Sequence, residues 1–243
     1  MSISTACGEP VESTCGAKAG VCLLNDPDVK GVLFDLDGTL LDTRQAHLDS
    51  WAEAFSSIGK PIPMDQLAPL FGRSNEQWIQ VLLSPEERER RGRLILELKE
   101  AAFAQRAPSI QVFPEVTELL RDLRAKGKLL ALASSASHAH LVREAKRFDP
   151  DGLIAAVVGR DEVQRGKPDP ETFLLAAARL GLRPEQSVAV GDSVADALAA
   201  RAAGTHMIGV LSGGFTREQL TQAGAEEIYQ EVAALRCCLE VNR

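Results

Sequence analysis

Beyond Pro114, short apolar segments alternate with segments of helical periodicity, and this alternation constrains the fold most strongly. The apolar segments cover 128–133, 153–158, 187–190 and 206–211, the helical segments cover 114–126, 137–147, 170–180 and 194–203, and an edge strand near Ile228 precedes a helix over 231–240. Strands that alternate with helices favour a parallel sheet with helices on both faces. The sequence therefore predicts an α/β fold with a Rossmann-like, doubly wound parallel sheet.

The first strand of this sheet lies far upstream, and a helical block separates it from the rest. Val32–Phe34 is a short apolar run of the kind found in buried parallel strands. The helical patterns that follow it span 43–58, 64–71, 74–83 and 85–106. Ser84 and Pro85 mark the start of the last one, because serine caps helices and proline is favoured at the first helical position. A helical block in this place predicts an inserted α-helical domain.

These patterns divide the chain into three parts. Residues 29–43 and 110–243 are expected to form the α/β core, and residues 44–109 the small inserted helical domain. Residues 1–28 are rich in small and polar residues and have no sustained periodicity. Because terminal segments of this kind are usually poorly ordered, we expect 1–28 to be a mobile N-terminal extension.

The cysteines do not follow a disulfide or zinc pattern. Their number is odd and none forms a Cys-x-x-Cys pair; they are Cys7, Cys15, Cys22, Cys237 and Cys238. The N-terminus also lacks the basic and apolar regions of a signal peptide. Because cytosolic proteins keep their thiols reduced, we expect incidental, reduced cysteines in a cytoplasmic protein, with a zinc site as the weaker alternative.

Charge and hydrophobicity argue against two classes of partner. The formal net charge is −7, whereas nucleic-acid-binding domains are usually basic with clustered charges. No apolar run reaches the length of a transmembrane helix. We therefore expect neither nucleic acid nor a membrane as partner, and a monomer or homodimer that acts on a small molecule.

Two carboxylates, Asp35 and Asp37, follow directly after the first strand. In an open α/β sheet, ligands bind outside the carboxyl ends of the strands. Two like charges this close disfavour each other, and a cation or protonation would relieve the repulsion. Carboxylate oxygens suit Mg²⁺, which is commonly held together with a substrate phosphate. The alternative is an ordinary turn, because Asp-Gly pairs such as Asp37-Gly38 are frequent in turns.

Polar side chains also follow the later strands. Ser134 comes after the second predicted strand, Lys167 lies in the loop after the third, and Asp192 and Asp196 follow the fourth. Because these strands are predicted to be parallel, we expect the four side chains to converge on one crevice with Asp35. Taken singly, each also has a simpler interpretation. Ser134 and Asp192 could cap the helices that follow them. Lys167 could be an exposed surface lysine, and Asp196 could lie on a solvated helix face.

The segment Asp35-Leu36-Asp37-Gly38-Thr39 resembles the nucleophile motif Asp-x-Asp-Gly-Thr of the haloacid dehalogenase-like phosphohydrolases. The similarity continues through the segments that carry Ser134, Lys167 and Asp192, and it covers the chain from about Lys30 to the C-terminus. It implies a helical cap over the active site, as in the phosphoglycolate phosphatase and β-phosphoglucomutase branch. The implied activity is Mg²⁺-dependent hydrolysis of a small phosphorylated metabolite, such as phosphoglycolate or a sugar phosphate, through an aspartyl-phosphate.

The resemblance also implies roles for individual residues. Asp35 would be the nucleophile, and Asp37 would protonate the leaving oxygen and then activate water. Ser134, with Ser135 and the neighbouring amides, would bind phosphate oxygens, and Lys167 would bridge nucleophile and phosphate. Dehalogenases and phosphonate-cleaving members lack an acid at the position of Asp37. Its presence here favours a phosphate ester as substrate.

The same resemblance implies a ligand set for Mg²⁺. Asp35 would contribute its carboxylate and Asp37 its backbone carbonyl. Asp192 would be a further carboxylate ligand, and Asp196 either a ligand or a group that orients the others.

Residues of the helical block bear on substrate choice. His47, four residues before Trp51, has the spacing seen at the start of the cap in β-phosphoglucomutase relatives, where a histidine contacts the reacting group; an ordinary polar helix residue is the equal alternative. Arg73 resembles a cap arginine near the substrate, and its planar guanidinium suits a carboxylate or a second phosphate. Lys99 is a poor match for a cap lysine.

Two other functions remain as alternatives. The position of His47 is compatible with a mutase that moves phosphate within a sugar. A non-catalytic protein that binds phosphorylated ligands or protein partners is the alternative of another class, although every catalytic position of the motif is occupied here.

Overall fold

The computed structural model of the chain describes residues 22–240, and its centre is a six-stranded parallel sheet. The strands are β1 (Gly31–Phe34), β2 (Leu129–Ala133), β3 (Ile154–Val158), β4 (Ser187–Gly191), β5 (His206–Val210) and β6 (Glu227–Tyr229). Their order is β3-β2-β1-β4-β5-β6, and all neighbours are parallel. Because the order reverses at β1, the predicted doubly wound, Rossmann-like α/β fold is confirmed.

The segment between β1 and β2 is helical. It contains α1 (Arg44–Ser57), α2 (Met64–Leu67), α3 (Asn75–Leu82) and α4 (Pro85–Arg106). Helix α4 begins as predicted, since the Ser84 side chain accepts a hydrogen bond from the Glu87 amide and Pro85 is the first helical residue. The four helices enclose an apolar cluster of their own that includes Trp51, Phe55, Trp78 and Ile95. The inserted helices therefore have a hydrophobic core separate from that of the sheet.

Further helices cover the two faces of the sheet. They are α5 (Val116–Ala125), α6 (His138–Ala145), α7 (Glu171–Arg179), α8 (Val194–Ala203), α9 (Arg217–Ala223) and α10 (Ala233–Glu240). Val32 and Phe34 of β1 pack with α5, α6 and α10, whereas Leu33 packs with α7, α8 and α9. Strand β1 is apolar throughout because both of its faces are buried. Within residues 22–240, no helix combines the length and the apolar composition that crossing a bilayer requires.

Two expectations about the chain ends are wrong within the described residues. Leu24 is fully buried in the core, so the packed chain begins before residue 28. Cys22 and Cys238 form a disulfide, with their Cα atoms 6.2 Å apart, and are not the reduced thiols expected from the cysteine pattern. Sequence spacing could not reveal this pair because 216 positions separate the two cysteines. The expectation of mobility for residues 1–21 lies outside the described residues.

Candidate active site

The carboxyl ends of the strands bring three predicted carboxylates together. Asp35 follows β1, Asp192 follows β4, and Asp196 lies in the first turn of α8. Strands β1 and β4 are neighbours in register, which places Asp35 beside Asp192. One oxygen atom of each of the three carboxylates lies within 4.8 Å of the others, and all three residues are buried. The sheet topology therefore assembles this cluster from segments far apart in sequence.

Lys167 inserts its ammonium group into this cluster. Its Nζ atom donates hydrogen bonds to Asp35 Oδ1 at 2.8 Å and to Asp196 Oδ1 at 2.6 Å. The side chain is only 1% exposed, and Nζ also lies 4.7 Å from the ring centre of Phe173. Lys167 is therefore not the exposed surface lysine of the alternative interpretation, and it neutralises part of the buried negative charge.

Ser193, rather than Asp192, caps helix α8. The Ser193 hydroxyl accepts a hydrogen bond from the Asp196 amide, and the Asp196 carboxylate accepts hydrogen bonds from the Ser193 amide and hydroxyl through Oδ2. Both oxygens of Asp196 thus have protein donors, since Oδ1 accepts from Lys167. This arrangement suits Asp196 for orienting its neighbours and leaves Asp192 available for other chemistry.

Asp192 has one oxygen engaged and one without a partner. Its Oδ1 atom accepts a hydrogen bond from the Thr39 hydroxyl at 3.0 Å. Its Oδ2 atom is buried and has no hydrogen-bond partner among residues 22–240. A buried carboxylate oxygen without a donor is costly, and a divalent cation would offset that cost. The cluster therefore fits Mg²⁺, with Asp35 and Asp192 as the carboxylates that would hold it.

The pKa values of the cluster indicate the same shortage of positive charge. Burial raises the pKa of Asp35 to about 7 although Lys167 opposes the shift, and the Asp196 charge adds to the rise. Burial, followed by the charges of Asp196 and Asp35, raises the pKa of Asp192 well above its usual range. A cation bound between these carboxylates would lower both values, because it favours their ionised forms.

The backbone conformation at Gly38 and its closeness to Asp192 explain why the acidic motif contains glycine. Its backbone has φ +84°, a conformation that disfavours residues with a side chain. A Cβ atom at this position would also lie 2.6 Å from Asp192 Oδ2. The chain after β1 can therefore turn directly beneath the carboxylate cluster only because residue 38 is glycine.

Asp37 is directed towards the inserted helices and lies apart from the three-carboxylate cluster. Its Oδ1 atom is 3.4 Å from His47 Nε2, and the His47 ring stacks on Phe103 with 4.2 Å between ring centres. Burial alone would raise the pKa of Asp37, but the contact with His47 and the His47 charge lower it to about 2. The side chains of Asp37 and His47 thus form a pair at the junction of core and inserted helices.

The serines after β2 have different places. Ser134 is buried at the end of the strand, and its hydroxyl accepts a hydrogen bond from the Ala136 amide. Ser137, not Ser134, caps helix α6, because its side chain accepts from the His140 amide. Ser134 and Ser135 both line the cavity described below.

A cavity of about 1140 Å³ separates the strand ends from the inserted helices. The four predicted aspartates, Asp35, Asp37, Asp192 and Asp196, line its floor. The inserted helices contribute a mixed aromatic and cationic wall that includes His47, Trp51, Arg73, Trp78, Lys99 and Phe103. Arg73 is exposed, whereas Lys99 is buried. The volume suits a small molecule, with acids on one side and aromatic rings on the other.

Sequence reasoning missed three residues of this site. Thr39 binds Asp192, and Ser193 fixes Asp196. Thr39 could have been found as part of the acidic motif, and Ser193 from the Ser-x-x-Asp spacing of a capping box. Lys99 was a poor match for a cap lysine but is only 3% exposed and lines the cavity. No local signal distinguished Lys99 from the exposed charges of α4.

Comparisons with known proteins agree with this geometry. The family profile described as haloacid dehalogenase-like hydrolase matches residues 29–204. A phosphorylated carbohydrates phosphatase from Thermotoga maritima is 29% identical over 218 residues, which cover 88% of this chain and all of that protein. A phosphoglycolate phosphatase from Escherichia coli strain K12 is 27% identical, covering 84% of this chain and 90% of that one.

A solved structure supports the same assignment. The crystal structure of a hydrolase from Pseudomonas syringae superposes with a TM-score of 0.78 and 29% identity, covering 87% of this chain and 98% of that one. The predicted family is confirmed, since the profile spans most of the chain and the relatives match it nearly end to end. The chain therefore belongs to the haloacid dehalogenase-like family of hydrolytic enzymes.

Proposed function

We propose that the chain is a Mg²⁺-dependent phosphatase of small phosphorylated metabolites and that Asp35 carries the phosphoryl group between two half-reactions. The observation that supports this most directly is the buried ion cluster. In it, Lys167 donates a hydrogen bond to Asp35, and Asp192 Oδ2 has no hydrogen-bond partner among residues 22–240. The names of the relatives point to phosphorylated carbohydrates or phosphoglycolate as the substrate class.

In the first half-reaction, an Asp35 carboxylate oxygen attacks phosphorus while the ester bond to the leaving oxygen breaks. Asp37 gives its proton to that oxygen, and an alcohol leaves. The pKa of about 2 for Asp37 applies to the pocket without substrate. A phosphate dianion beside Asp37 raises this pKa, because like charges disfavour ionisation, and so allows Asp37 to hold the proton.

In the second half-reaction, Asp37 takes a proton from water, and the water oxygen attacks phosphorus. The bond between phosphorus and Asp35 breaks, which releases inorganic phosphate and restores the carboxylate. Ser134 and Ser135 hold phosphate oxygens, and Lys167 keeps Asp35 oriented. Mg²⁺ held by Asp35, Asp192 and the Asp37 carbonyl, with Asp196 in support, would neutralise the charge of the carboxylates and the phosphate.

We propose that residues 44–109 act as a cap over this chemistry. Their helices supply the aromatic wall of the cavity, and His47 contacts Asp37 across the junction. A cap that closes over substrate excludes water from the first half-reaction and selects the leaving group.

A panel of phosphorylated metabolites tests the proposed activity. We expect Mg²⁺-dependent release of inorganic phosphate from small phosphomonoesters, among them phosphoglycolate or sugar phosphates, and loss of the release when a chelator is added. Phosphate release that persists undiminished in chelator would contradict the proposal. Thermal stabilisation by the same compounds without turnover would favour a non-catalytic binding protein instead.

Mg²⁺ binding should also be measurable without any substrate. At pH 8, a Mg²⁺ concentration one hundred times Kd is expected to stabilise the fold by about 2.7 kcal/mol. For a chain of this size, the melting temperature would rise by roughly 5–10 °C. Burial raises the pKa of Asp35 to about 7, so protons compete with the cation in acid and the rise should be smaller at pH 5.5.

Two variants make this measurement specific. Asp192→Asn should abolish most of the Mg²⁺-dependent rise, because it removes a carboxylate from the cluster. Asp65→Asn, at an exposed position on α2, is the matched control and should respond as the unmodified protein does. An equal Mg²⁺-dependent rise in melting temperature in both variants would mean that Mg²⁺ binds outside the carboxylate cluster.

The contact between His47 and Asp37 supports a mutase as second candidate, because it puts a histidine at the proton-transfer residue. Incubation with β-glucose 1-phosphate and a sugar bisphosphate primer separates the two functions. A mutase would form glucose 6-phosphate, whereas the proposed phosphatase would form inorganic phosphate.

A further inference from the structure

Lys99 is a buried cation on the cap side of the cavity. It lies on α4, the most highly charged of the inserted helices, yet its side chain is only 3% exposed. It lines the same cavity as the carboxylate cluster. Removing an ammonium group from water is unfavourable unless other groups replace its hydration. The surroundings of Lys99 therefore indicate what it is placed to bind.

Two aromatic rings lie beside the Lys99 ammonium group. The Nζ atom of Lys99 lies 5.0 Å from the ring centre of Phe103 and 5.9 Å from that of Trp51. Trp51 in turn stacks on Trp78 with 4.8 Å between centres. Ring faces attract a cation through their electron density but accept few of its hydrogen bonds. The rings therefore stabilise the charge and leave hydrogen-bonding capacity unused.

One carboxylate also contacts Lys99. Glu100 Oε1 accepts a hydrogen bond from Nζ at 3.0 Å, and the same oxygen accepts one from the Asn75 amide group. The Glu100 side chain is 57% exposed, so its charge is largely screened by solvent. An ammonium group has three N–H donors. Among residues 22–240, Glu100 is the acceptor to which Lys99 Nζ donates a hydrogen bond. Lys99 can therefore donate to an anion in the cavity.

Lys99 lies on the leaving-group side of the reaction. The Phe103 ring that Lys99 overlies also stacks on His47, and His47 lies beside Asp37. Asp37 is the residue proposed to protonate the leaving oxygen. The group attached to that oxygen would therefore extend past His47 towards Lys99.

We propose that Lys99 binds a carboxylate on the leaving group, so that the preferred substrates are small phosphomonoesters bearing a carboxylate rather than neutral sugar phosphates. This proposal rests on the phosphatase activity proposed above. A single ammonium, already paired in part with Glu100, matches one negative charge better than the two of a second phosphate. Arg73, to which the sequence assigned this role, is exposed and can hydrate freely.

Steady-state kinetics with two substrates of similar size test the proposal. Phosphoglycolate carries the carboxylate, and 2-hydroxyethyl phosphate replaces it with a neutral hydroxymethyl group. The unmodified enzyme should have a clearly higher kcat/KM for phosphoglycolate. Lys99→Met should raise KM for phosphoglycolate about 10- to 100-fold, as expected for loss of a charged hydrogen bond, with a much smaller change in kcat. KM for 2-hydroxyethyl phosphate should change far less.

Three further variants separate binding from structural effects. Lys99→Arg keeps the charge and should retain part of the preference for phosphoglycolate. Lys126→Met makes the same change at an exposed position outside the cavity and should leave both KM values unaltered. Arg73→Met should affect the preference less than Lys99→Met. Inhibition by glycolate, which needs no turnover by the ligand, should weaken in Lys99→Met.

The outcomes distinguish this proposal from the one on which it rests. If Lys99→Met raises both KM values equally, or if Arg73→Met alone removes the preference, Lys99 does not bind a carboxylate although the phosphatase activity stands. A preference of the unmodified enzyme for 2-hydroxyethyl phosphate also overturns it. If no phosphomonoester is hydrolysed with Mg²⁺, the proposed phosphatase activity fails, and the role of Lys99 fails with it.

Discussion

Asp35→Asn is expected to reduce kcat for phosphomonoester hydrolysis by at least about 10³-fold. The amide has nearly the same shape as the carboxylate but cannot form the acyl phosphate. Asp35 is 6% exposed, and its Oδ1 atom accepts a hydrogen bond from Lys167, which holds this carboxylate in place. The measurement is single-turnover hydrolysis with Mg²⁺, together with mass spectrometry of acid-quenched enzyme to detect the phosphorylated peptide.

Asp42→Asn is the matched control for this experiment. Asp42 lies in the same segment but is exposed, and its change should leave kcat within about twofold, as expected for a surface position. Circular dichroism should confirm that both variants are folded. If Asp35→Asn kept substantial activity, or if the phosphoryl group were found on another residue, the covalent mechanism proposed here would be wrong.

Lys167→Met is expected to lower both stability and activity. The change leaves Asp35 and Asp196 buried without their shared cation, and breaking a buried ion pair in this way typically costs about 3–5 kcal/mol. The melting temperature should fall by roughly 10 °C for a chain of this size. Activity should fall at least about 10²-fold, because Asp35 loses the group that orients it.

The loss of stability in Lys167→Met should depend on pH in a defined direction. Without the cation, the pKa values of the buried carboxylates rise further, so the folded state binds more protons than the unfolded state. Its stability therefore increases as pH falls through the raised pKa values, and the deficit should be larger at pH 8 than at pH 5. Mg²⁺ should restore part of the loss at pH 8.

Lys126→Met serves as the control. Lys126 is exposed, precedes the amino end of β2, and donates a hydrogen bond to Asn25 Oδ1. It should lower the melting temperature by no more than about 2 °C. If Lys167→Met loses the same amount of folding stability at all pH values, the loss is due to altered packing rather than to the missing charge.

The architecture of the core could be predicted from local patterns. Val32–Phe34 must be a buried strand because it is apolar on both faces, and each later apolar segment is separated from the next by a helical one. Parallel strands then bring Asp35 and Asp192 to one edge of the sheet. The start of α4 could also be predicted, because a Ser-Pro cap is a local signal.

Local patterns failed where burial depends on distant segments. Lys99 lies in a helix rich in charges and is a poor match for a cap lysine, yet packing of α4 against α1 encloses it. The position of Asp192 is also compatible with a helix cap, but Ser193 caps α8, and Asp192 Oδ2 has no donor among residues 22–240. Leu24 and the Cys22–Cys238 pair pack against segments about two hundred positions away.

The sequence by itself determined the order of strands and helices and the placing of acids, serine and lysine at strand ends, because periodicity and turn residues act over a few positions. Only the tertiary structure decided which side chains lose water. The pairing of Lys167 with two carboxylates, the direction of Asp37 towards His47 and the burial of Lys99 all depend on atoms brought together from distant segments. Burial and charge proximity control pKa and ligand affinity, so the chemistry of the cavity depends on the folded structure.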